Sequence, residues 1–61
     1  MQVGDIVRVD SAHAVWDEAQ GQIGVVVALA KRLYIPAAKV LVLGQVAEWD
    51  QDELEVIDAK G

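Results

Sequence analysis

Cysteine and phenylalanine are absent from this chain, and histidine, proline and methionine occur once each. The missing thiols exclude a disulfide framework, and a lone histidine excludes a Cys/His zinc site, so neither usual staple of very small domains is present. A chain of 61 residues buries only about 60% of the surface exposed when it is unfolded, and packing or self-association must supply its margin of stability. Long apolar runs are missing too. Nothing approaches a membrane span, and the polar segment after Met1 lacks the pattern of a signal peptide, so the expected setting is cytoplasmic with no membrane partner. Cations are few: five Lys and Arg stand against ten Asp and Glu, for a net charge of -5. That balance disfavours phosphate backbones and hence nucleic acid as a partner. Six of the acids fall between Glu48 and Asp58, where they are expected to form a solvated face.

What is abundant is small and branched aliphatic side chains. The hydrophobic fraction is 54% with aromatics at only 5%, which suits short strands around a tight core. Turn signals divide the chain accordingly. Gly4-Asp5 opens a first strand at Ile6–Val9, with Val7 and Val9 inward and Ile6 and Arg8 outward. A polar loop over residues 10–20 holds "DEA", which suits a single helical turn. A second strand spans residues 22–30, and "KRLYIPAA" reads as a loop or edge because Pro36 lacks a ladder donor. A third strand, residues 39–43, turns at Gly44-Gln45 in the type II′ manner into a fourth, residues 46–50. "QDE" after Asp50 fits one 3₁₀ turn before a last strand, residues 54–57. No repeat or linker interrupts residues 1–61, which read as one domain.

"VGDIVRV" followed by "GQIGVVV" resembles the paired first strands of KOW-type and other SH3-like barrels, with a Gly-Asp turn, alternating valines, a loop and then Gly-x-x-Gly-x-Val. "VLVLGQVAEWDQDELEVI" is similar to the last three strands of the same architecture. The resemblance covers nearly the whole chain and implies an all-β fold: a small five-stranded SH3-like barrel, partly open, with a 3₁₀ turn before the last strand. Stand-alone chains of this pattern are often encoded by phages and mobile elements, which implies a virion-associated location as the alternative to the cytoplasm. Such barrels host RNA binders, peptide binders, structural subunits and a few enzymes, so the motifs specify fold and leave function open. Ribosomal KOW proteins bind RNA through basic loops, whereas the first loop here carries Asp10, Asp17 and Glu18.

Candidate chemistry is sparse. His13 lies near Asp17 and Glu18, but a single loop histidine is weak ground for a catalytic pair, and Ser11 has no spacing that ties it to a base. Gly21 and Gly24 have structural roles in turn and curvature, and no Walker-type Lys-Ser/Thr follows them. Asp50, Asp52 and Glu53 lack the calcium-loop spacing and read as capping and solvating groups. No catalytic residue, cofactor or metal is therefore expected. Type II dihydrofolate reductases resemble this architecture and line a shared pore with a Val-Gln-Ile-Tyr motif. The nearest stretch here, "VAEW", puts Glu48 and Trp49 in place of the apolar residue and the tyrosine, and the acid opposes anionic ligands. Trp16, Tyr34 and Trp49 form a candidate aromatic site for a basic peptide, with Trp49 alternatively a core residue and Trp16 packing the long loop.

The segment "GQIGVVVALA", residues 21–30, raises the sharper question, because it is apolar on both faces. Alternation assigns Ile23, Val25, Val27 and Leu29 to the core and Gly24, Val26, Ala28 and Ala30 to the outside. With Val40 and Val42 inward, Leu41 and Leu43 point out. The expected outward apolar set is then Ile6, Val26, Ala28, Leu33, Ile35, Leu41 and Leu43, more than scattered surface residues require. This set is the candidate interface for a protein partner or a second copy of the chain, and the expected role is a non-enzymatic interaction or structural module. The runner-up is an acidic, aromatic-lined binder of a basic peptide.

Overall fold

The computed structural model describes residues 1–10 and 17–59. Five strands, β1 (Ile6–Val9), β2 (Ile23–Arg32), β3 (Ile35–Val42), β4 (Gln45–Asp50) and β5 (Leu54–Asp58), form one antiparallel sheet in the order β4-β3-β2-β1-β5. β4 and β5 do not pair, so the sheet curls without closing. This is the architecture expected, all-β and five-stranded with the sheet left partly open, and with a 3₁₀ turn at Gln51–Glu53 before the last strand. A second 3₁₀ turn, Asp17–Ala19, ends the long first loop. That loop is closed at its base by Gly21 N–H donating to Val9 O at 2.8 Å and Val9 N–H to Gln22 O at 3.0 Å. At the second turn, the Asp50 N–H donates to Glu53 Oε1 at 3.1 Å in a capping-box arrangement.

The core is aliphatic: Val7, Val9, Val26, Val40 and Val42 are fully buried, and Trp49, Leu54, Ala38 and Ala19 complete the cluster. Val7 and Val9 face inward as alternation in β1 requires. β2 departs from expectation. Val26 is buried at 1% exposure while Ile23 is 52% exposed, so the phase assigned to this strand is inverted in its first half; further along, Val27 and Leu29, expected in the core, are 40% and 48% exposed. The cause is backbone proximity at Gly24. A Cβ built there would lie 2.6 Å from Val40 Cγ1 and 2.7 Å from the Leu41 carbonyl oxygen, so only glycine fits the inward position, and Val26 follows it inward. A β-bulge between Val26 and Ala28 then resets the phase. Opposite residues share a face, so Leu29, opposite Ala38, lies on the core side, and Ala28, opposite Lys39, lies outside.

Of the two readings for "KRLYIPAA", loop or edge, the edge is the one observed. β2 and β3 run on as a hairpin to a two-residue turn at Leu33 and Tyr34, closed by the Arg32–Ile35 pair. Pro36 is tolerated because β4 reaches β3 only as far as Ala37, leaving that stretch with a single neighbour. The next turn also shifts by one residue. Leu43 and Gly44 are its centre, both at positive φ (52° and 75°), the type I′ pattern rather than II′, closed by Val42 and Gln45. Leu33, at φ 57°, likewise holds a backbone conformation that costs a non-glycine residue about 1–2 kcal/mol.

Candidate interaction surface

The outer face of the sheet carries an apolar row in register. Ile6 opposes Val25, Val25 opposes Leu41, and Leu41 opposes Val46, crossing β1, β2, β3 and β4. Leu41 is 40% and Val46 57% exposed, while Ile6 and Val25 are half-buried. Cross-strand neighbours on one face have Cβ atoms roughly 5 Å apart, so these four side chains make a continuous ridge rather than scattered contacts.

Charged groups bracket the ridge, and they are matched within the chain. On one side Ile23 opposes Arg8 and Arg8 opposes Glu55, with Arg8 Nη2 donating to Glu55 Oε1. On the other side Ala28, Lys39 and Glu48 form the next row. There Arg32 reaches Glu48, with Nε to Oε2 at 3.3 Å, and also pairs through Nη2 with Asp50. Exposed pairs of this kind contribute about 0–1 kcal/mol to stability. Their effect on the surface is larger, since they leave an apolar stripe between borders of nearly compensated charge, the layout of an interface core with its rim.

The structure distributes the expected interface residues unevenly. Leu41 and Ile6 stand in the ridge, and Leu43 sits 50% exposed in the turn beyond it. Ala28 is half-buried in the adjoining row. Leu33 (91% exposed) and Ile35 belong to the far end of the β2–β3 hairpin. Val26 is removed from the set, because its side chain packs in the core. Val25, Val46 and Ile23 were missed. For Val46 the signal was present: it lies three residues before Trp49, and in a regular strand the two must face opposite ways. Trp49 opposes core residue Ala38 and Val46 opposes Leu41.

The aromatic residues are placed apart in function. Trp49 is a core side chain, Tyr34 is 95% exposed at the hairpin turn, and Trp16 lies outside the described residues, as do Ser11 and His13. Glu48 is on the outer face beside Lys39 and Arg32. Among the described residues there is no pocket and no group of three His, Cys, Asp or Glu side chains arranged to hold a metal. No described helix is long and apolar enough to cross a membrane. No family model, curated protein or solved structure matches the chain.

Proposed function

We propose that this chain is a non-enzymatic interaction module that associates with a second copy of itself through the outer face of its sheet. The observation that carries the reading is the in-register ridge of Ile6, Val25, Leu41 and Val46, bordered on both sides by ion pairs satisfied within the chain. A surface with its charges already matched has little need of an oppositely charged partner, and an identical ridge is a suitable cover: two sheets pack face to face with their side chains interdigitated. Hiding two Leu or Val side chains in such a contact contributes on the order of 3–6 kcal/mol, comparable to the stability of a domain this small. Kinship with KOW-type and other SH3-like barrels belongs to the same reading and is supported by the strand pattern and connections; origin in a phage or mobile element goes with it only as what that resemblance implies for a small stand-alone chain. A structural subunit inside a cell or a virion is the role that fits it.

Sedimentation equilibrium over a wide concentration range tests the proposal. Wild type is expected to form a dimer, and Leu41→Glu, which places a charge in the centre of the ridge, is expected to weaken it at least about 100-fold. A folded Leu41→Glu variant that dimerises like wild type, or a wild type that stays monomeric throughout, overturns it.

A further inference from the structure

β2 has a neighbour on both sides for only part of its length. β1 pairs with it at Ile23, Gly24 and Val25, and the segment before β1 extends the contact to Val26, with Gly4 N–H donating to Val26 O at 2.8 Å and Val26 N–H to Asp5 O at 3.0 Å. Beyond the bulge, residues 28–32 pair with β3 and with no described strand on the other side. β5 is open in the same sense, with β1 on one side and no described strand on the other. An open strand edge is a template for a further strand.

The two edges are opposite in charge. Lys31 stands on the β2 edge beside Arg32, which is held by Glu48 and Asp50 of its own chain, and Asp58 stands on β5 with Glu55, whose one ion pair, to Arg8, is solvent-exposed and leaves its second oxygen for Lys31. Each also exposes apolar side chains: Leu29 at 48% on the first, Val56 at 41% and Ile57 at 50% on the second. We infer that the β5 edge of one copy adds, antiparallel, to the free β2 edge of the next. One register matches both kinds of group. It sets Lys31 opposite Glu55 and Leu29 opposite Ile57 on one face of the new ladder, with small Ala30 opposite Val56 on the other. Two β5 edges meeting each other would bring Glu55 towards Asp58, so like charges disfavour the symmetric alternative.

Such a contact joins two different surfaces of the molecule, so it continues from copy to copy into rings or filaments, whereas the face contact closes on itself as a pair. The two interfaces are independent, and they answer to salt differently: screening weakens a contact between opposite charges and leaves an apolar ridge intact.

Charge exchange across the register tests the inference. Sedimentation velocity at low ionic strength, up to millimolar concentration, should show species larger than a dimer for wild type. Lys31→Glu alone and Glu55→Lys alone should each reduce them at least about tenfold, and the double variant Lys31→Glu/Glu55→Lys should restore them. Leu41→Glu should leave this higher assembly in place, which separates it from the face contact. Circular dichroism confirms that the variants fold, and Lys31→Gln with Glu55→Gln supplies the same loss should a reversal unfold the chain. The inference is overturned by a wild type with nothing beyond a dimer, by single variants that assemble normally, or by a double variant that fails to recover.

Discussion

Val40 and Leu41 are neighbours on β3, similar in chemistry, and opposite in fate. Val40 is fully buried and pairs with Val26 and Ala47; Leu41 is 40% exposed and pairs with Val25 and Val46. The sheet thus has two apolar faces, one filled by Trp49 and the valines and one left to solvent. Side-chain hydrophobicity does not tell them apart. What separates them is backbone geometry: the inner face is the concave side, where β2 approaches β3 so closely that Gly24 has no room for a Cβ.

The largest effect that should distinguish the faces is at Trp49. Trp49→Ala removes the bulkiest core side chain and is expected to cost about 3–5 kcal/mol, enough to unfold much of the population at 25 °C, as read by urea titration of the circular dichroism signal. An effect below about 1 kcal/mol would mean that the inner face is not the core.

Next is Gly24→Ala. The added methyl meets the Leu41 carbonyl, a backbone atom that cannot rotate away, and the expected loss is about 1–3 kcal/mol in the same titration. A neutral outcome would show that β2 and β3 can separate at this point and would remove the reason for the inverted phase. Smallest is Val46→Thr on the outer face, expected to change the unfolding free energy of the dilute monomer by less than about 0.5 kcal/mol while weakening association. A loss as large as that at Gly24 would place Val46 in the monomer's own core and dissolve the contrast.

Several parts of this arrangement were legible in residues alone. β1 was read at its observed bounds, because Gly4-Asp5 marks its start and Val7 and Val9 alternate with Arg8. The 3₁₀ turn at Gln51–Glu53 followed from a capping aspartate before a polar triplet, and the placing of Val40 and Val42 on one face with Leu41 on the other from simple alternation, their inward sense being supposed. The hairpin turn was misplaced by one residue, since preferences favour Gly44 as the first central position and do not anticipate leucine at positive φ. The β2–β3 hairpin was missed because Pro36 argues against a strand unless the strand is known to have one neighbour there. The candidate surface was half legible: Leu41 was found, while Val26 was exchanged for Val25 because nothing in an apolar run shows how closely β3 approaches Gly24.

Composition and turn chemistry by themselves determined that this chain makes five short strands with a thin margin of stability, no disulfide and a matched pair of apolar faces. They are local properties, set by side-chain volume, backbone freedom and alternation along a few residues. Which apolar face becomes core, where β2 changes phase, and which charges cancel across strands were decided only in the folded sheet. Those outcomes depend on distances between residues far apart in sequence, such as Gly24 with Leu41 and Arg8 with Glu55, and on the closeness with which two strands can pack.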